Sequence, residues 1–236
     1  MRRLLILRPE PAATRTAQRA LELGLDAVVS PIFELTACEW QPPKAGDFDA
    51  IIFTSANAAR LGGGGLNGFS QLPCYAVGES TALAARDAGF TDVRTGPSDG
   101  AALLDLMARD GIGAAFHPCG RDHLPLEHPA IRIERQIVYA AHEKAVLPEG
   151  AVAALKVDAL ALIHSPRASQ YFGGLVDAAG LAREAVEIAA ISRAAAEAAG
   201  KGWKAMHMSP EPRDHALLEL AAKLCKTGRL GMGSDA

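Results

Sequence analysis

The sequence predicts an α/β fold made of two similar parallel-sheet domains. Continuous apolar runs alternate with helical patterns along the chain, a Gly follows most of the helical patterns, and the same order of elements occurs twice. Continuous apolar runs are typical of strands that are covered on both faces. Their alternation with helices is typical of parallel sheets.

Each element is assigned from its own pattern. We predict strands at Leu4–Leu7, Ala27–Ser30, Ala50–Phe53, Cys74–Val77, Asp92–Thr95, Ala114–His117, Arg135–Ala140, Ala159–Ile163, Glu187–Ile191 and Lys204–Met208. We predict helices at Ala12–Leu23, Ala56–Leu61, Thr81–Ala88, Gly100–Arg109, Ala168–Ala178, Ala194–Ala199 and Asp214–Cys225. A Gly just past a helix, such as Gly24 or Gly228, is the expected stop signal. We expect the "GGGG" at 62–65 to be a flexible loop and the tail at 231–236 to be disordered.

An internal repeat predicts the domain organisation. "DAIIFTSANAARL" is echoed by "DALALIHSPRASQYF", and "YAVGESTALAARDAGF" is echoed by "IAAISRAAAEAAG". Residues 113–138 resemble the N-terminal segment in their order of strand, turn, helix and strand. The chain is therefore predicted to leave one domain, build the other, and return. We place the domains at 1–35 with 144–236 and at 39–138, with crossings near 36–38 and 139–143.

Composition excludes several classes of protein. The 236 residues carry a formal net charge of −3 and 22% charged residues, which fits neither a disordered chain nor a basic nucleic-acid binder. No apolar stretch approaches the ~20 residues that span a bilayer. "MRRLLILRPEPAA" is cut off too early for a signal peptide, so cytoplasmic residence is the default.

The cysteines do not indicate a metal site. The four are widely scattered, without a CxxC and without a His at zinc spacing. Cys119 has His117 and His123 nearby, but a buried thiol at a strand end is the favoured interpretation. His117, His164 and His215 show neither triad order nor metal spacing.

Hydroxyl residues occupy the turns where predicted strands lead into helices. Ligands of doubly wound sheets bind beyond the carboxyl ends of strands. Taken singly, these residues are read as simple N-caps; taken together, such turns with nearby arginines make sites for anions. The candidate ligands of an anionic substrate are Arg8, Ser55, Ala56, Gly78, Ser80, Thr81, Ser165, Pro166, Arg167, Ser192 and Arg193.

Two further observations bear on chemistry. No turn is a GxGxxG or a Walker loop, so dinucleotide and triphosphate binding are poorly supported. Tyr139, one of three tyrosines, lies at the predicted return crossing. Its phenol is either a proton donor in a cleft or an aromatic that only packs, and the residues alone favour packing.

The motifs in this order resemble the uroporphyrinogen-III synthase family. The resemblance spans nearly the whole chain and is carried by "ELGLDAVVSPIFEL", "FDAIIFTSANA", "YAVGESTALAARDAGF", "FHPCGRD", "RQIVYAA", "LIHSPRAS" and "IAAISRAAAEAAG". It implies two α/β domains joined by a two-stranded linker. The turn Ser192-Arg193 departs from the family, in which hydroxyl residues often continue, so Arg193 or a backbone N–H is expected to take over that contact.

The resemblance implies a cofactor-free, metal-free reaction. Hydroxymethylbilane, a linear tetrapyrrole with eight carboxylates, would lose its hydroxyl and cyclise to uroporphyrinogen III, with the last ring inverted through a spiro intermediate. Tyr139 would assist departure of the hydroxyl. Ser55, Thr81, Ser165 and Ser192 would contact the carboxylate side chains. A small-molecule substrate, no nucleic acid or membrane partner, and a monomer are implied.

Rival interpretations remain at this point. A non-catalytic two-lobed protein that binds a small anion shares the architecture, but its periplasmic forms usually carry a signal peptide. A nucleotide-using two-domain enzyme would need a phosphate loop or a pair of metal-binding carboxylates, and neither is found. The third rival interpretation is a regulatory domain of a larger fused protein.

Overall fold

The computed structural model describes residues 2–96 and 99–227, and Gly228 and the tail at 231–236 lie outside these ranges. The chain is an α/β protein with parallel sheets, as predicted. It divides into two compact units. Unit 1 comprises the residues up to Glu34 and from Glu143 onward, and unit 2 comprises Leu35–His142.

The elements are numbered along the chain. The strands are β1 (Leu4–Ile6), β2 (Ala27–Val29), β3 (Phe33–Ala37), β4 (Ala50–Phe53), β5 (Cys74–Val77), β6 (Val93–Gly96), β7 (Ala114–Gly120), β8 (Arg132–Glu143), β9 (Leu160–Ile163), β10 (Glu187–Ala190) and β11 (Ala205–Met208). The α-helices are α1 (Ala12–Glu22), α2 (Ala56–Leu61), α3 (Glu79–Asp87), α4 (Gly100–Arg109), α5 (Glu149–Lys156), α6 (Pro166–Ala178), α7 (Arg193–Ala198) and α8 (Asp214–Thr227). Short 3-10 helices lie at Ala45–Asp47, Gly63–Phe69 and Arg183–Ala185.

The two sheets share one strand order. Unit 1 has the order β2-β1-β9-β10-β11, with every neighbouring pair parallel. Unit 2 has the order β8-β7-β4-β5-β6, also parallel, with β3 beside β8 at the edge. If β7 and β8 are counted as its first two strands, unit 2 has the 2-1-3-4-5 order of a doubly wound sheet, as unit 1 does.

Burial of the central strands on both faces explains their apolar runs. All four residues of β4 are fully buried. Ile51 and Phe53 pack into one core cluster, whereas Ala50 and Ile52 pack into another on the opposite face. Successive side chains of a strand point to opposite faces, so both faces of this sheet are covered.

The glycine run is not the predicted loop. Gly63–Phe69 forms a 3-10 helix packed against Trp40, whose Nε1 donates to the carbonyl of Gly62 at 2.9 Å. A Cβ built on Gly65 would lie 2.6 Å from the indole ring. The loop prediction was wrong because the segment is helical and Gly65 lets the indole ring of Trp40 pack closely against it.

Two elements were missed and most of the others were found to within a few residues. Strand β3 and helix α5 have no counterpart in the prediction, and β8 is longer than the predicted Arg135–Ala140 at both ends. The expected helix-ending glycines have positive φ at Gly24 (73°), Gly89 (95°), Gly111 (81°), Gly180 (66°) and Gly200 (75°). A left-handed residue at C′ is the ordinary way to end a helix.

Candidate functional site

Unit 2 has a cavity where its strand order reverses. From β4 the chain continues through β5 to β6, and from β7 it continues in the other direction to β8. Loops at such a reversal separate and leave a crevice at the carboxyl ends of the strands. A cavity of about 560 Å³ lies there, and its lining includes Thr54 and Ser55 after β4, Gly120 at the end of β7, and Tyr139 of β8.

Tyr139 contacts Ser55 at this cavity. Its hydroxyl donates to Ser55 Oγ at 3.2 Å, and Ser55 Oγ also accepts from the backbone N–H of Asn57 at 3.2 Å. Ser55 is therefore the N-cap of α2, as expected. Tyr139 also packs against the core cluster of this unit, as the residues alone favoured, so it combines a packed ring with a polar contact at the cavity.

Gly120 makes room for the tyrosine ring. It pairs with Tyr139 across β7 and β8, just after an irregularity in the register at Cys119. A Cβ on Gly120 would lie 2.6 Å from Tyr139 Cζ and 2.8 Å from its hydroxyl oxygen. Any larger residue at 120 would therefore displace the phenol.

A buried histidine contacts the cavity lining from behind. His117 has no exposed surface, and its Nε2 lies 3.1 Å from Thr54 Oγ1. Burial, with help from the charges of His123 and Arg135, lowers the pKa of His117 from 6.5 to about 4. The imidazole is therefore neutral near pH 7. Sequence reasoning had set this residue aside because nothing local marks it.

The predicted site residues in the turn before α3 of unit 2 differ from one another in exposure. Gly78 has a φ of 71° and precedes α3, without a side-chain cap. Ser80 is exposed, whereas Thr81 is buried. Glu79 in the same turn accepts from Arg86 at 3.0 Å and from Thr95 at 3.2 Å. Ser80 is thus the more accessible of the two predicted hydroxyls.

In unit 1, the serine turns cap helices as expected. The strand order reverses between β1 and β9, and Ser165 follows β9. Its Oγ accepts from Ala168 N at 3.1 Å, with Pro166 at the first helical position. Ser192 after β10 accepts from Ala195 N at 3.3 Å.

A largely buried carboxylate lies beyond the ends of β1 and β9 in unit 1, beside Arg8 and His164. The sequence analysis did not identify it. Asp214, the first residue of α8, accepts from Thr16 Oγ1 at 2.9 Å, Arg8 Nη1 at 3.1 Å and Arg19 Nη1 at 3.1 Å, and it contacts His164 Nε2 at 3.0 Å. Burial alone would raise the pKa of Asp214, but these partners outweigh it and hold the pKa well below its usual range. The only local signal was an acidic residue at a helix start.

The predicted arginines of unit 1 differ in their environment. Arg8 is bound to Asp214, and its side chain is 29% exposed. Arg167 pairs with Glu143 at 3.1 Å and lies over the ring of Phe33, 4.9 Å from its centroid. Arg193 is exposed. In unit 2, Ala56 lies beside Ser55 at the start of α2 and is partly buried.

Two kinds of feature are absent from the described residues. Among residues 2–96 and 99–227, no group of three or more His, Cys, Asp or Glu side chains is placed to hold a metal ion. Within the same ranges, every helix is too short or too polar to cross a bilayer.

Comparison with known proteins identifies the family. The structure is similar to that of uroporphyrinogen-III synthetase from Helicobacter pylori 26695, with a TM-score of 0.63 and 17% identity over 95% of this chain and 100% of that one. It is also similar to a mutant uroporphyrinogen III synthase from the extremely thermophilic bacterium Thermus thermophilus, with a TM-score of 0.52 and 19% identity over 96% and 100%. The search against curated proteins gave no match. The family model described as "Uroporphyrinogen-III synthase HemD" matches residues 14–219. Because this match covers most of the 236 residues, the chain belongs to the uroporphyrinogen-III synthase family.

Proposed function

We propose that this chain is a lyase that converts hydroxymethylbilane to uroporphyrinogen III by a cyclising dehydration. The observation that carries the proposal is the family match over residues 14–219. The expectations of a cofactor-free reaction and of a cytoplasmic monomer belong to the same proposal. Size-exclusion chromatography checks the monomer.

The chemistry asks for orientation more than for a strong acid or base. Loss of the hydroxyl from the first ring leaves an azafulvene electrophile, and the last ring attacks through its substituted position to give the spiro intermediate. That intermediate fragments and recloses with the last ring inverted. Since the azafulvene forms and closes without a protein, the enzyme's main task is to decide which carbon attacks, and this is a problem of positioning.

Tyr139 is the proposed proton donor to the departing hydroxyl, which leaves as water. Its hydroxyl lies at the unit 2 cavity, 3.2 Å from Ser55 Oγ. Ser55 Oγ already accepts from Asn57 N and can itself donate to the phenol oxygen, because a hydroxyl is both donor and acceptor. That arrangement frees the phenol proton for the substrate.

The carboxylates of the substrate are proposed to bind hydroxyls and arginines in the turns. Ser165, Ser192 and Ser80 supply hydroxyl donors near helix starts, and Arg167 and Arg193 supply exposed charge. Arg8 retains binding capacity although it is paired. Arg8 and Arg19 together carry two positive charges against one negative charge on Asp214, so about one net positive charge remains there.

The proposal includes two domains joined by β3 and β8. The unit boundaries at Glu34 and His142 fall within these two strands. Their backbones bond at both ends, since Cys38 N donates to Val138 O at 2.9 Å and Lys144 N donates to Ile32 O at 3.0 Å. The identical strand order of the units supports a duplicated domain.

The test is a product assay with freshly prepared hydroxymethylbilane. We expect type III uroporphyrinogen in excess over type I. A type I excess equal to that of the protein-free blank would refute synthase activity and favour the non-catalytic binding of an anion. The Tyr139→Phe variant is expected to lose about 100-fold in kcat while remaining folded, in the usual range for general acid catalysis.

Tyr75→Phe is the matched control. Tyr75 is fully buried in the same unit, and its hydroxyl donates to Asp110 at 2.6 Å, outside the cavity lining. Its removal costs a hydrogen bond without touching the proposed donor. Equal losses in the two variants would remove Tyr139 from its assigned role.

A further inference from the structure

His117 and Thr54 form a contact that the proposed reaction does not use. Thr54 is the residue after β4, and it lines the unit 2 cavity together with Ser55 and Tyr139. His117 lies on the neighbouring strand β7, is fully buried, and does not line the cavity. The 3.1 Å contact between His117 Nε2 and Thr54 Oγ1 joins a buried ring to a residue that lines the cavity.

The position of the imidazole proton decides what Thr54 can do. The ring is neutral, so one nitrogen carries the proton and the other is an acceptor. Within the described ranges, His117 Nδ1 is buried and has no protein hydrogen-bond partner. A buried N–H without a partner is rarer than a buried acceptor without one. The proton therefore belongs on Nε2, which donates to Thr54 Oγ1.

This assignment fixes the direction of the threonine hydroxyl. An oxygen that accepts from His117 turns its own proton elsewhere, and the open side of Thr54 is the cavity. We propose that His117 is a positioning residue that holds the Thr54 hydroxyl with its proton directed at an oxygen of the substrate, of the carboxylate class. This inference rests on the proposed function, because it names a donor for that same substrate.

Spectroscopy tests the proton assignment without any substrate. In protein labelled with 15N at histidine, His117 is expected to show a protonated Nε2 and an unprotonated Nδ1 from about pH 5 to 8. The Thr54→Val variant should shift the His117 signals while leaving those of the other histidines in place. A protonated Nδ1, or signals of His117 that do not respond to Thr54→Val, would overturn the inference.

Kinetics test the positioning. Thr54→Val is expected to lower kcat/KM by about 10- to 100-fold, the usual effect of removing a hydrogen bond to a charged group. Thr54→Ser, which keeps the hydroxyl, should retain most of the activity. His117→Leu should lose nearly as much as Thr54→Val, and His117→Gln, which keeps an N–H donor, should recover much of that loss.

The double variant separates positioning from a structural effect. If His117 acts through Thr54, then His117→Leu combined with Thr54→Val is no worse than Thr54→Val alone. Multiplied losses would overturn the inference. Cys119→Ala is the control, because Cys119 is buried two residues along the same strand and should keep full activity. A wild-type chain that makes no type III product would refute the proposed function, whereas a protonated Nδ1 in an active chain refutes only this inference.

Discussion

His117 is expected to make the folded chain sensitive to mild acid. Its pKa is lowered from 6.5 to about 4, mainly by burial and further by His123 and Arg135. In the unfolded chain the imidazole binds a proton near pH 6.5. Between these two values the unfolded state holds more protons, so the free energy of unfolding falls as the pH falls. At about 1.4 kcal/mol for each pH unit, this gap corresponds to about 3 kcal/mol.

The assay compares the wild-type chain with His117→Gln, which does not titrate. Urea unfolding is measured at steps from about pH 7.5 to 4. The chain has two tryptophans, Trp40 in unit 2 and Trp203 in unit 1. In a Trp203→Phe background, fluorescence therefore reports the unit that contains His117.

The difference between the two stability curves isolates the contribution of His117. All groups other than residue 117 are common to both chains, so subtracting the curves leaves the contribution of His117. The wild type should lose about 3 kcal/mol more than His117→Gln by pH 4 and nothing more above pH 7. Curves that stay parallel over the whole range would show that His117 is not held neutral by the fold, and the reasoning would fail.

Three further predictions concern stability and activity. Asp214→Asn is expected to lower the free energy of unfolding by about 3 kcal/mol in urea, because the buried Thr16 hydroxyl and the partly buried Arg8 guanidinium lose their charged acceptor. A loss below about 1 kcal/mol would contradict this. Gly120→Ala places a Cβ 2.6 Å from Tyr139 Cζ and should lower kcat about tenfold with little change in Tm. An unchanged kcat would mean that the phenol position is not critical. Gly65→Ala collides with an indole ring and should cost about 1–3 kcal/mol in thermal unfolding, whereas Gly64→Ala meets no atom within 4 Å and serves as the neutral control.

Features set by local sequence could be predicted. Ser55, Ser165 and Ser192 cap helices because a hydroxyl just before a helical pattern satisfies nearby amides, whatever the rest of the chain does. The central strands could be located because both of their faces are buried. The resemblance to a family assigned Tyr139 to the substrate, and the residues alone would have assigned it to packing.

Features set by distant residues could not be predicted. Asp214 contacts Arg8, which is 206 positions away in the sequence, and Thr54 contacts His117, which is 63 positions away. No local sequence pattern therefore indicates either pair. Helix α5 was missed because it lacks the glycine stop signal. Asp158 takes the left-handed conformation after it, with a φ of 63°, at a position where Gly is usual.

The shared but permuted strand order has a consequence for the growing polypeptide. Strand β1 is central in its sheet, between β2 and β9, yet β9 begins only at Leu160. A ribosome releases the N-terminal part of the chain first. The edge of β1 that pairs with β9 therefore stays unpaired while β4 to β8 are synthesised one after another. Unit 2, which begins later in the chain, can thus complete its sheet before unit 1 does. Until Leu160 is synthesised, the sheet of unit 2 can be complete whereas the sheet of unit 1 lacks three of its strands. We expect mispairing with a neighbouring chain at the unpaired edge of β1.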